Sequence, residues 1–421
     1  MAGRAAGPSV VRTLAVWALT RAVLMLCVLK VLTVPGPDVT SDVSVIYRNW
    51  FDILRTGTFP LGDVTWQYPP GAALPILSPG LLPSVGYAEA FFALVLICDA
   101  LVMAALLYAA HGRGRRSAGV WVWVVGVPLL GPTVYARYDV MVTAVAVAAL
   151  LAGSRHPRVM GALTAFGAML KVWPVLLLIG TARREATRRS WGTAVLVALG
   201  LLGVFALSMP GSLSFLTFQR ERGTEVESLG SLVFHVARRF GWQGTVQFHY
   251  GSVEFVGPYV PLVSTLAQLL SVVALGWLVV WRLRARVWTP STLADAGFTA
   301  VLLFTATSRV ISPQYMVWLV GCAAVCLLFR SSRMGPPACL ILAATAVTLL
   351  EFPIWFGHVV GSDDLGITLL FVRNGLLVTA AVIACLRLWR QTVTEPAASE
   401  ASDAVAPARG AAEGRDDLVE T

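Results

Sequence analysis

Charge is what this 421-residue sequence has least of: charged residues make up 13% of it and hydrophobic ones 57%, at a mean hydropathy of +0.74. Soluble globular domains carry roughly 25% charged residues, so a water-soluble fold is excluded and a polytopic membrane protein is expected. Cysteine offers little either. Cys27, Cys98, Cys322, Cys326, Cys339 and Cys385 all lie inside apolar segments and form no CxxC pair, which speaks against a disulfide framework or a zinc site. The first apolar run lacks an A-x-A site at its end and extends for about 20 residues, beyond the 7–15 of a secretory leader. It reads as a retained first span. No internal repeat is visible.

The net charge of +9 suggests nucleic acid until its placement is considered. Arg113/Arg115/Arg116, Arg155/Arg158, Arg183/Arg184/Arg188/Arg189, Arg282/Arg284/Arg286, Arg330/Arg333 and Arg387/Arg390 each occupy a short gap between apolar runs. That is the bias of cytoplasmic loops. The acids gather in the other gaps: Asp38, Asp42, Asp52 and Asp63, then Glu221, Glu225, Glu227 and Glu254, then Asp363 and Asp364. Basic charge here reports topology, and no nucleic-acid partner is expected.

Runs near the 20 residues a span needs fall at 10–33, 87–110, 118–135, 138–153, 191–209, 258–281, 292–308, 314–329, 336–356 and 366–388. The run 158–180 has arginine-rich flanks on both sides, so it cannot cross once. Lys171 and Pro174 in its middle predict a broken hairpin, rising over 158–170 and returning over 172–180 with Lys171 near the tip. Such breaks survive only inside protein or beside a wet cavity. The expected fold is all-α: a bundle of about twelve crossing or half-crossing helices over 1–390, both termini inside. Extracytoplasmic loops 34–86 and 210–257 interrupt it. Residues 391–421, rich in Ala, Glu, Ser, Pro and Asp, are expected as a disordered cytoplasmic tail.

The outer segments hold the chemistry. In the first loop Val45, Ile46, Asn49, Trp50, Ile53 and Leu54 recur at near-helical spacing, widened by Tyr47 and Phe51, which predicts a helix lying at the interface. Asp42 precedes it, either as a catalytic acid or as a helix cap; Asp38, Asp52 and Asp63 compete with it. Tyr68-Pro69-Pro70 fixes a rigid turn, read equally as structure or as substrate contact. Arg220 and Arg222 of the second loop suit a phosphate, or else belong to a solvated charge run. Arg137-Tyr138-Asp139, Arg309 and Ser312-Pro313-Gln314-Tyr315 sit at outer ends of spans. With Lys171 they suggest an outward-facing cationic pocket, against the charge bias of an outer surface. Arg21 and Asp99 fall at equal depth, ~16 Å from the ends of consecutive spans, and read as a buried structural pair. His235, His249 and His358 read as hydrogen-bonding or interfacial residues, with His358 beside Trp355 the strongest candidate for more.

In order and membrane placement, these segments resemble glycosyltransferase family 87, within the GT-C class of polytopic transferases. The matching residues are Ser41-Asp42-Val43 with Tyr47 and Trp50, Gly57-Thr58-Phe59-Pro60, Tyr68-Pro69-Pro70, Arg137-Tyr138-Asp139, Leu170-Lys171-Val172-Trp173-Pro174, Arg220 with Glu227-Ser228, Ser312-Pro313-Gln314-Tyr315 and Arg373-Asn374, over roughly 10–390. Asp42 stands five residues before Tyr47, where many relatives have four. The resemblance implies an extracytoplasmic transferase of the cell membrane. It would move a hexose such as mannose from a polyprenyl-phosphate sugar to a lipid or glycan acceptor. It makes Asp42 the catalytic acid; Tyr47, Tyr68, Arg137, Asp139, Lys171, Arg220, Arg222, Glu227, Arg309, Gln314 and His358 are the residues expected around substrate. No outer Asp-x-Asp cluster calls for a metal, and no cofactor beyond the lipid-linked donor is expected. Broken helices and buried charge also suit a secondary transporter or flippase, against which stand the long outer loops and the lack of repeats.

Overall fold

The computed structural model describes residues 8–218, 223–249 and 251–394. It is overwhelmingly helical. In chain order the first elements are α1 (Pro8–Val28), a π-helical turn (Asp42–Tyr47) running into α2 (Arg48–Leu54), and α3 (Ala73–Leu77). Then come α4 (Tyr87–Ala110), α5 (Ala118–Leu129), α6 (Asp139–Ala152), α7 (Pro157–Leu170), a 3-10 helix (Trp173–Gly180) and α8 (Glu185–Ser208). A small outer layer follows: α9 (Phe215–Phe218), β1 (Thr224–Glu225), α10 (Leu232–Arg238), β2 (Thr245–His249) and β3 (Ser252–Val256). The last group is α11 (Val260–Arg284), α12 (Thr292–Thr307), α13 (Tyr315–Leu328), α14 (Gly335–Leu349), a π turn (Leu350–Ile354), α15 (Phe356–Gly361) and α16 (Asp364–Trp389).

Six of these helices, α1, α4, α8, α11, α14 and α16, are long and apolar enough to cross a membrane; α5, α6, α12 and α13 are shorter. Length and burial go together. Every residue of α13 after Tyr315 is buried, and at 14 residues it extends only ~21 Å, too short to face both headgroup layers. By contrast α8 and α11 keep most of their apolar surface outward, as lipid-facing helices must. The expected hairpin is present. Helix α7 stops at Leu170, Lys171 is extended (φ −158°, ψ 131°), and the 3-10 helix returns the chain. Pro174 in the first turn of that return lacks the N–H that would have continued α7.

Arg21 and Asp99 form the expected buried pair, Nε to Oδ2 at 2.8 Å. The Trp17 and Trp123 indoles and the Tyr135 hydroxyl also donate to Asp99, at 3.1, 2.7 and 2.7 Å. Arg21 spends its remaining donors on the Trp123 and Val124 carbonyls. The pair ties α1 to α4 and α5.

Three expectations are corrected. The loop 210–257 contains a three-stranded antiparallel sheet, order β1-β3-β2, with Glu225 opposite Glu254 and Val246 opposite Phe255. Phe255, Val226, Phe234, Val260, Val359 and Leu370 give this layer its own apolar cluster. The helix after Asp42 buries Val43, Tyr47, Trp50 and Leu54, whereas Val45 and Ile53 point away; the stripe is rotated because the segment begins in a π turn. The ordered chain also continues past 391. Residues 390–394 form a π turn held by Trp281 Nε1 donating to Thr392 Oγ1 (2.9 Å) and by the Arg286 and Val287 amides donating to the Thr392 carbonyl. The rest of the expected tail lies outside the described residues.

Candidate active site

At the end of the bundle that carries the long loops, a cavity of about 740 Å³ opens between the first loop, the hairpin tip, β1 and the segment before α13. Its wall includes Asp42, Tyr47, Tyr68, Arg137, Lys171, Glu227, Arg309 and Gln314. Eight residues singled out in the sequence therefore share one chamber.

Local structure explains each placement. Helix α5 ends at Pro128–Leu129, and Gly131 (φ +66°) turns the chain so that Arg137 precedes the first turn of α6. Leu349 crowds the space a Cβ at Gly131 would need. Arg137 reaches Asp42 with Nη2 to Oδ2 at 2.8 Å, and its Nη1 donates to the Val39 and Ala136 carbonyls. The Tyr68-Pro69-Pro70-Gly71 turn is packed into the fold and also borders the cavity. A Cβ at Gly71 would come within 2.6 Å of the Met169 carbonyl, so the turn lies directly on the end of α7, and Tyr68 joins the rings around Lys171.

Lys171 is caged. Its ammonium lies 5.1–5.5 Å from the ring centroids of Tyr68, Tyr138, Tyr315 and Trp318, a cation–π geometry. It pairs with Asp139 Oδ1 at 2.7 Å, which also accepts from Trp318 Nε1 at 2.6 Å. Asp139 opens α6, where the helix dipole favours a carboxylate. It is buried beneath Lys171 and absent from the cavity wall, where a position around substrate was expected. That corrects one expectation.

Arg309 is positioned by β1. The Glu225 amide donates to the Arg309 carbonyl at 3.1 Å, and Glu225 Oε2 accepts from the Ile311 amide at 2.6 Å. Glu225 lines the cavity and was not singled out by sequence. Glu227 also reaches the wall, with its carbonyl accepting from Arg373 Nη2 at 2.8 Å. Arg373 makes its tight pair with Glu351, Nε to Oε2 at 3.0 Å. Burial first, then the Glu351 and Glu225 charges, push the Glu227 carboxyl well above the usual carboxylate range. Glu351 escaped the sequence reading although an acid inside an apolar run is itself a signal.

One further placement differs from expectation. His358 is outside the cavity wall, half-exposed, and bonds Asp363 Oδ2 through Nδ1 at 2.5 Å; it closes a turn between α15 and α16. Arg220 and Arg222 lie outside the described residues. Of the competing acids, Asp63 accepts from Trp50 Nε1 (2.7 Å) and Thr65, and Asp52 pairs with Arg48 and Arg55. Asp38 pairs with Lys30 and accepts from Thr40. Asp52 and Asp63 shape the loop and Asp38, although on the cavity wall, is committed to Lys30 and Thr40, whereas Asp42 bonds a cation of that wall.

The remaining wall is apolar or weakly polar: Leu216 of α9, Gln268 and Ser271 of α11, Phe304 of α12. The chamber thus extends from a charged rim into the helical bundle. Fold and site together define a multi-pass membrane protein with a large cavity at one end of the bundle, lined by three cations and four carboxylates. The chain belongs to glycosyltransferase family 87, whose family model matches residues 66–313, more than half of its length. Arg137, Lys171, Glu227 and Arg309 lie within that match; Asp42 and Tyr47 precede it. The fold is similar to crystal structures of ArnT from Cupriavidus metallidurans. The undecaprenyl phosphate complex has TM-score 0.47 and 15% identity, covering 94% of this chain and 79% of that one. The apo form has TM-score 0.46 and 16% identity, covering 93% and 78%. No curated protein matches the chain.

Proposed function

We propose that this membrane glycosyltransferase moves a hexose, with mannose the first candidate, from a polyprenyl-phosphate sugar to a hydroxyl of a lipid or glycan acceptor on the extracytoplasmic face. The observation that carries the reading is the convergence of Asp42 with Arg137, Lys171 and Arg309 on one cavity that also reaches into the apolar bundle. Its orientation follows from the arginine-rich loops at the other end, which suit the cytoplasmic side.

In this scheme the acceptor oxygen attacks the anomeric carbon as the bond from that carbon to the phosphate oxygen breaks. Asp42 takes the hydroxyl proton, a task worth about 10²–10⁴-fold. The polyprenyl phosphate leaves with the bonding pair, and Lys171 and Arg309 stabilise the charge growing on it. A single displacement inverts the anomeric centre. Tyr47, Tyr68 and Gln314 supply faces and edges for the sugar, while Leu216 and Phe304 accommodate the start of the lipid chain. Glu227, whose carboxyl is pushed upward by burial and then by its acidic neighbours, is placed on the wall to hydrogen-bond a sugar hydroxyl. The scheme gives no role to a metal, so transfer is expected to persist in EDTA.

The test supplies purified protein with polyprenyl-phosphate mannose or glucose and extracted membrane lipids. The product linkage is then read by NMR. Transfer with inversion supports the reading. Transfer only from nucleotide sugars, or movement of a substrate across vesicles with no transfer, would overturn it.

A further inference from the structure

A second cavity, of about 790 Å³, lies at the arginine-rich end of the bundle. Arg113 and Arg115 reach it from the segment after α4, Arg155 from the turn after α6, and Arg330 from the turn after α13. Backbone bonds bring two of these loops together: the Arg116 amide donates to the Leu328 carbonyl at 2.8 Å and the Arg330 amide to the Gly114 carbonyl at 3.0 Å. Among the described residues no Asp or Glu lines the cavity. The nearby acid, Asp295, is buried and bonded to Ser332.

The arrangement exceeds what loop charge bias requires. That bias favours arginine in loops but gives no reason to gather four around a hollow, where like charges repel. The Arg115 guanidinium carbon lies 3.4 Å from the Phe329 ring centroid, and its Nη1 is buried without a hydrogen-bond partner, a costly state for a charged donor. Burial and the neighbouring Arg155 both disfavour its charged form. An anion in the cavity offsets the repulsion among the four guanidinium groups. The wall is also partly apolar, with Ala105 and Leu151 beside Tyr108, which is 85% exposed on the last turns of α4.

We propose that this cavity binds the phosphate of an anionic phospholipid headgroup in the leaflet on that side, with Arg113, Arg115, Arg155 and Arg330 as its ligands. The shared chemistry is a phosphate ester, and the apolar wall favours a lipid over a soluble phosphate. The inference depends on the arginine-rich end lying at a membrane surface and is independent of the transferase scheme. Bound there, one headgroup would join the ends of α4, α6 and α13, of which α6 carries Asp139 at its other end.

Native mass spectrometry of the purified full chain with equimolar phosphatidylglycerol and phosphatidylcholine tests it. Wild type should retain phosphatidylglycerol preferentially. Arg113→Gln and Arg155→Gln, both exposed and remote from Asp42, should each lower that retention about fivefold, the weight of one basic residue at an anionic surface. Arg158→Gln, outside the cavity, should leave it unchanged, and size-exclusion profiles report folding of every variant. Equal retention of both lipids, or an equal loss with Arg158→Gln, overturns the proposal. Binding of inorganic phosphate without preference between the lipids also overturns it, assigning the site to a soluble anion.

Discussion

Asp42 and Arg137 meet in the cavity wall unequally: the guanidinium side chain is 11% exposed and the carboxylate 32%. Arginine is clamped by two carbonyls as well as by the acid, so it serves as the fixed member. The carboxylate is oriented by it while keeping an accessible edge, the condition a general base must meet.

Asp42→Asn should therefore reduce transfer by about 10²–10⁴-fold while the thermal midpoint stays near that of wild type, because Arg137 retains its two carbonyl acceptors. Asp38→Asn, whose carboxylate serves Lys30 and Thr40, should cost far less in rate. Initial rates with a polyprenyl-phosphate sugar, measured beside thermal melts, decide between them. Full activity in Asp42→Asn would move the base elsewhere.

The Lys171–Asp139 pair separates holding from binding. Asp139→Asn alone leaves the ammonium among four rings with a weaker partner, and Lys171→Met leaves a buried carboxylate facing Trp318; both should lower the yield of folded protein. The combined change removes both charges and should recover much of that yield, since an unpaired buried charge is the main cost. If Lys171 engages the donor phosphate, the recovered double variant should still show a donor KM raised at least ~10-fold, the scale of one lost charge-assisted contact. Recovery of both fold and KM would confine Lys171 to structure.

Much of this was legible because membrane constraints are strict. Matched arginine flanks around 158–180 leave a broken hairpin as the consistent path, and the structure breaks at Lys171. Equal depth paired Arg21 with Asp99. What escaped depended on contacts distant in sequence. Nothing near Glu225 announces that the Ile311 amide will hold it, and nothing near His358 says that Asp363 will turn it from the cavity. The strands of the second loop are short and partly polar, so their pairing follows from packing against α15 and α16 more than from alternation.

The Arg21–Asp99 pair predicts that either single truncation costs more stability than the double replacement. Arg21→Ala strands a carboxylate that still has three donors, whereas Asp99→Ala strands a guanidinium beside two indoles. Each should destabilise by about 3–5 kcal/mol, and the double apolar replacement should recover part of the loss. Melting midpoints in detergent, read with transfer rates on whatever folds, provide the check. Normal folding with lost turnover in the single variants would place the pair in the mechanism.

The last prediction concerns acid and rests on His235. The residue is fully buried. Arg238 Nη1 donates to Ser362 Oγ, which leaves the serine hydroxyl to donate to His235 Nδ1 at 2.8 Å. His235 Nε2 therefore carries the proton and donates to the Val226 carbonyl at 2.8 Å. Burial, joined by the Arg238 charge, outweighs the pull of the Val226 carbonyl toward the charged ring and drives the pKa from 6.5 down to about 4. A histidine with a depressed pKa takes up its proton more readily when unfolded, so stability rises with pH between about 4 and 6.5 and is flat above. The shift corresponds to about 3 kcal/mol, fully present at pH 7 and lost as pH falls toward 4. Because His235 links the segment after β1 to the turn between α15 and α16, the outer layer should loosen first. Hydrogen exchange of the Val226 and Phe255 amides should accelerate from pH 6.5 to 5 in wild type and change much less in His235→Gln, after correction for intrinsic exchange. An equal response in both proteins would assign the acid sensitivity to another group.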